Sequence, residues 1–202
     1  MDMSAGRAAQ LTAVLLVSLV ATQIVYVALS ASGADIDRRI IWGAETVFSL
    51  LIVAFAAGPL AHGSRFAAAW AAISGAGLLN VIQLAMGIAM FGPLFGGGQP
   101  LAPVAQTVAA AAFFILYAGK FLFGLAALLI GSAAAREGAG LTRIAGILAA
   151  ISGAAALLFT TVAMAFGRSA IEAAPGASGT AAMFFLALIL RFGAGPRGDA
   201  SA

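Results

Sequence analysis

Six runs of mostly apolar residues, at 8–30, 40–61, 66–91, 101–135, 141–166 and 177–192, dominate the chain. A helix needs about 20 such residues to cross the hydrocarbon core of a bilayer, and a chain in lipid must satisfy its own backbone N–H and C=O groups. The pattern predicts an all-α polytopic membrane bundle of about six transmembrane helices, in a single domain over 1–202. The fourth run is long enough to tilt or to project beyond the bilayer, and the sixth is the shortest. Charge supports the same reading. Only 8% of the residues are charged, against about 25% in an ordinary soluble domain, too few to cover a water-facing surface. The first run has Arg7 before it and small residues at Ala28-Leu29-Ser30, as a secretory signal would. Its apolar stretch exceeds the roughly 7–15 residues of a signal core, so it is expected to stay as the first helix.

The loops differ in charge. One side of the expected bundle carries Arg7, Arg65, Arg136, Arg143, Arg191 and Arg197; the other carries Arg38, Arg39 and Arg168 beside Asp35, Asp37 and Glu172. The positive-inside rule predicts that the first side, with both termini, is cytoplasmic. The net charge of +3 comes from these scattered arginines, with no basic run and no interleaved aromatics, so nucleic acid is not an expected partner. The expected surroundings are the lipid bilayer and a second copy or another membrane protein.

Several chemistries are excluded by count. The chain has no Cys and one His, His62. Disulfides, thiolate metal sites, iron–sulfur clusters, a bis-histidine haem and a His-rich zinc site all need more. The Gly-rich stretch from Gly92 to Pro100 is not followed by Lys-Ser or Lys-Thr, so it is not a P-loop, and it reads as a flexible or lipid-touching loop. No nucleophile–base–orienter set and no paired carboxylates are visible. Neither an enzyme nor a bound cofactor or metal is indicated.

Part of the sequence repeats. Ala71-Ala72-Ile73-Ser74-Gly75-Ala76 in the third run recurs as Ala149-Ala150-Ile151-Ser152-Gly153-Ala154 in the fifth. A ladder of Ala67, Ala71 and Gly75 matches Ala145, Ala149 and Gly153. Small residues spaced by four let helix backbones approach closely in lipid. Helices two–three and four–five thus read as copies of one hairpin, against the alternative that Ala-rich and Gly-rich segments match by composition alone.

Within the runs, ionisable residues are rare. Glu45 and Lys120 stand at equivalent places in the two hairpins, each roughly 24 Å from the basic end at 1.5 Å per residue. A lone charge at mid-membrane costs about 2.5–3.5 kcal/mol on insertion scales, and opposite charges at one depth relieve each other. A Glu45–Lys120 pair is therefore expected. Helical spacing adds polar neighbours: Gln106, Phe113, Tyr117, Lys120 and Gly124 on one face of helix four; Trp42, Glu45 and Ser49 on helix two; Asn80 and Gln83 on helix three; Gln23, Tyr26 and Ser30 on helix one. Read functionally, Glu45, Lys120, Tyr117, Asn80, Gln83, Gln23, Ser49 and Gln106 line a polar cavity for a small or lipophilic ligand, an ion or a proton. In that reading Glu45 is a proton carrier, and Lys120 an anion ligand or a Schiff-base former. Read structurally, the same residues lock helices together, and the chain is an accessory subunit that packs its small-residue faces against partner proteins.

The segment from Tyr117 through Lys120 to Gly131, the short polar loop, and Leu141-Thr142-Arg143-Ile144-Ala145-Gly146-Ile147-Leu148, with Leu78-Leu79-Asn80 in helix three, resembles a widespread family of six-span bacterial membrane proteins of unknown function. The chain departs from that pattern in lacking a proline before helix five. The resemblance implies the six-helix architecture and a bacterial inner membrane, and carries no activity. Lys120 also departs from the seven-helix retinal proteins, whose lysine lies in the last helix.

Overall fold

A computed structural model describes residues 4–33, 36–167 and 171–192. Asp35, Arg168 and Arg197, used in the charge comparison above, lie outside them. Among the described residues there are six helices long and apolar enough to cross a membrane. We label them α1 (Ala5–Ser32), α2 (Arg39–Ala61), α3 (Ala67–Met86), α4 (Ala102–Glu137), α5 (Gly140–Phe166) and α6 (Ala174–Phe192). The chain is an all-α bundle with the architecture of a multi-pass membrane protein. Its outward faces carry bare apolar side chains such as Val27, Ile40, Ile151 and Leu158. In water so much exposed aliphatic surface would be unfavourable; in lipid it is not.

The helix ends follow local chemistry. Ser4 caps α1 by accepting from the Arg7 N–H at 3.3 Å, and Gly33 ends that helix with φ 69°. Pro59 lies in the last turn of α2 without ending it there; the helix runs on to Ala61. At the far end of α3 the expected loop is partly helical. A π-helical turn spans Gly87–Phe91, a short helix follows at Gly92–Gly96, and the break comes at Gly98, whose φ of 71° suits glycine. Gly87 packs under the Trp42 ring and Gly92 against the Arg39 guanidinium, so this segment is held against the start of α2.

Helices α1, α2, α3, α4 and α6 form a closed ring of neighbours, and α5 lies outside it against α4 and α6. Odd and even helices run in opposite directions, so the ring has an Arg65 end and an Asp37 end. Toward the Arg65 end the interior is a tier of fully buried apolar side chains, including Leu16, Leu19, Ile52, Ile73, Met183 and Leu186. Above it lies a polar layer, and above that an aromatic tier. There Trp42 stands 6.4 Å from Tyr26 and edge-on to Phe91 at 6.0 Å, and Arg38 lies over Tyr26.

The two similar small-residue ladders have different surroundings. A Cβ on Gly153 would lie 2.6 Å from Gly124 O and 2.8 Å from Leu128 N, so α5 meets α4 backbone to backbone. The matching Ala67 and Ala71 on α3 are exposed, and Gly75 faces the Leu122 side chain of α4. It is Gly77, two residues on, that brings α3 close to α2, beside Ser49 O. The α4–α5 contact is the closest helix pairing among the described residues, with Gly124, Gly131, Gly146 and Gly153 all at the seam. Gly153→Ala is expected to lower stability by about 1–3 kcal/mol, because backbone atoms cannot move aside as a flexible side chain can. Gly43→Ala, in α2 with open space around it, is expected to leave stability unchanged or raise it slightly, since alanine favours the helix. Thermal unfolding of both variants in mild detergent measures the difference.

Candidate functional site

The polar layer consists of two clusters that meet at α1. In the first, the Thr22 hydroxyl donates to Glu45 Oε1 at 2.8 Å, joining α1 to α2. One turn along α2, Ser49 donates to the Glu45 backbone carbonyl at 2.7 Å and accepts from Asn80 Nδ2 of α3 at 2.8 Å. Ser49 is fully buried, and Glu45 and Asn80 nearly so. In the second cluster, Lys120 Nζ reaches across from α4. It donates to Gln23 Oε1 of α1 at 3.0 Å, and to Thr180 Oγ1 and Gly176 O of α6 at 2.9 and 3.3 Å. The Thr180 hydroxyl also lies 2.7 Å from Gln23 Oε1. An ammonium has three protons, and here each finds an acceptor.

The expected Glu45–Lys120 ion pair is not formed. The single ion pair among the described residues is Arg65–Glu137, on the surface at the Arg65 end. The depth argument behind the expectation holds: Glu45 and Lys120 are anchored to Thr22 and Gln23, consecutive residues of α1. Consecutive residues on a helix point about 100° apart. Thr22 therefore serves α2 while Gln23 serves α4 and α6, and the two charges are held apart at one level.

Of the other expected site residues, Tyr117 is buried one turn from Lys120 and stacks with Phe113 at 6.2 Å. Gln83 is half-buried and takes no part in either cluster. Gln106 is exposed and fourteen residues from Lys120, about 21 Å along the helix, so it does not belong to the layer. Gly124, expected on the Lys120 face, meets Gly153 and Ala156 of α5 instead. His62 is exposed in its loop, with Nδ1 2.8 Å from Gly58 O. Among the described residues no three His, Cys, Asp or Glu side chains come together as a metal site would require.

Sequence reasoning missed Thr22, Thr180 and the Gly176 carbonyl. It also missed Gly179, where a Cβ would lie 2.8–2.9 Å from the Lys120 stem, so the missing side chain makes room for the lysine. A signal for α6 was present: Gly176 and Thr180 are four residues apart, one turn, and so share a face of that helix.

The two oxygens of Glu45 differ. Oε1 is held by Thr22, while Oε2 carries no hydrogen bond. Among the described residues the one fully enclosed side-chain polar atom without a partner is Thr12 Oγ1, so Oε2 keeps some accessible surface, consistent with the 8% exposure of Glu45. Chemically, Lys120 is saturated and Glu45 is not. No family model, curated protein or solved structure matches this chain.

The two clusters give separate energetic signatures. Lys120→Met and Thr180→Val should couple by about 0.5–3 kcal/mol, as touching residues do, whereas Lys120→Met and Asn80→Leu should be additive within about 0.5 kcal/mol. Double-mutant cycles from chemical unfolding in detergent provide the check.

Proposed function

We propose that this protein binds, and passes across a bacterial inner membrane, a small ligand at Glu45, with Lys120 positioning the helices around it. The open Oε2 of Glu45 is the observation that carries this reading. A carboxylate inside a membrane bundle, held in place by one oxygen and free at the other, is suited to a proton or a small cation, or to the basic group of a lipophilic molecule. Asn80 and Ser49 fix the α2 backbone behind it. Lys120 already donates all its protons to protein acceptors, which favours a structural part for it over anion binding or Schiff-base chemistry. By the positive-inside rule, the arginines at the Arg65 end support a cytoplasmic side for that end and for both termini. Membership of the six-span family that the chain resembles belongs to the same proposal.

An accessory subunit role is the second reading, and the exposed Ala67 and Ala71 on α3 favour it, since small residues let a partner helix approach. A lipophilic carbodiimide separates the two, because it modifies a protonated carboxyl reached from within the membrane. Treatment of native membranes followed by peptide mass spectrometry is expected to give an adduct on Glu45 that is abolished in Glu45→Gln, a variant that keeps an acceptor for Thr22. Absence of the adduct at every pH the protein survives would leave the accessory role.

A further inference from the structure

At the Arg65 end, a cleft of about 290 Å³ opens between the start of α3 and the last turns of α4. That is close to the lower end of ligand-pocket volumes, about 300 Å³. Its rim is charged and its wall apolar. Arg65, Arg136 and Glu137 stand at the rim, and Phe66, Leu129 and Ala133 line the wall. Arg65 is pre-set: its Nη2 is 2.6 Å from Glu137 Oε2 and its guanidinium lies 4.6 Å from the Phe66 ring centre. Arg136 has no hydrogen bond or ion pair among the described residues and is exposed. The rim thus carries two guanidinium groups against one carboxylate, and that carboxylate is already engaged by Arg65.

The vertical order of these groups matches a phospholipid. The guanidinium groups sit where α4 ends, the level at which headgroups would lie around a six-span bundle. Leu129 lies seven residues deeper, about 10 Å along the helix, and is partly exposed on the outer face where acyl chains run. Arginine forks suit phosphate oxygens, and basic pockets between transmembrane helices recognise anionic headgroups. We propose that this cleft seats the phosphate of an anionic phospholipid, with Arg136 and the remaining donors of Arg65 on its oxygens and Phe66, Leu129 and Ala133 against the start of an acyl chain. A soluble phosphate would use the rim and leave that wall uncovered. The site is separate from Glu45, and the proposal does not depend on what Glu45 does.

The test is native mass spectrometry of the full chain, released from detergent containing equal amounts of phosphatidylglycerol and phosphatidylcholine with matched chains. The wild type is expected to retain phosphatidylglycerol over phosphatidylcholine by about fivefold per contributing arginine. Arg136→Gln, which breaks no hydrogen bond or ion pair among the described residues, should lose most of that preference. Arg143→Gln removes an equal charge from the same end outside the cleft and should keep it. Equal retention of the two lipids by the wild type, or equal losses in the two variants, would overturn the proposal. So would displacement of bound phosphatidylglycerol by millimolar inorganic phosphate, which would make the free anion the ligand.

Discussion

An ammonium group inside a hydrocarbon slab tolerates no missing partner, and the ring of helices is arranged around this requirement at Lys120. Gln23, Thr180 and the Gly176 carbonyl supply the three acceptors. To do so, α1 and α6 must meet α4 at one height. Gly179 must lack a side chain for the lysine stem to pass. α1 and α4 have little backbone contact, and it is the Lys120–Gln23 bond that spans the space between them. The Glu45 cluster is fixed in turn, because Thr22 follows from where Gln23 is placed on the same helix. Packing at the glycine seam between α4 and α5 adds rigidity in a solvent that offers helices no hydrophobic drive to associate.

The spans were legible because the bilayer imposes a length and a polarity that few other constraints imitate. Boundaries from hydropathy fall within about three residues of the helices at nearly every end, within the usual ambiguity of helix termini. The exception is the segment after Phe91, where contacts to Trp42 and Arg39 extend a helix through glycines that read as a loop. Glu45, Ser49, Asn80, Lys120 and Gln23 were legible for a related reason: polar groups at that depth are costly, so they stand out. Their pairing was not. Distance along a helix gives height, but the direction in which a side chain leaves the axis decides its partner, and one residue of offset on α1 separates the acid from the base. Thr22, Thr180 and Gly176 were hidden because threonine and glycine occur throughout membrane helices. The repeated ladders show the same limit. Ala149 and Gly153 are buried in α5, while on α3 the matching Ala71 is exposed and Gly75 half-buried, since the ladder faces the α4 backbone in one helix and is turned partly outward in the other.

Glu45 lies off-centre along α2. From Arg39 to Glu45 is about 9 Å along α2, and from Glu45 to Ala61 about 24 Å. The longer distance is filled by the tier of Leu19, Ile52, Ile73 and Leu186. A transmembrane voltage falls mainly across dry, weakly polarisable material, and it acts on each elementary charge with about 2.3 kcal/mol per 100 mV over the full drop. Most of that drop therefore lies between Glu45 and the Arg65 end. A charge arriving at Glu45 from the Asp37 end would do little electrical work. Under the proposed transport, one continuing to the Arg65 end would cross most of the field, so the off-centre carboxylate would make the two half-journeys electrically unequal.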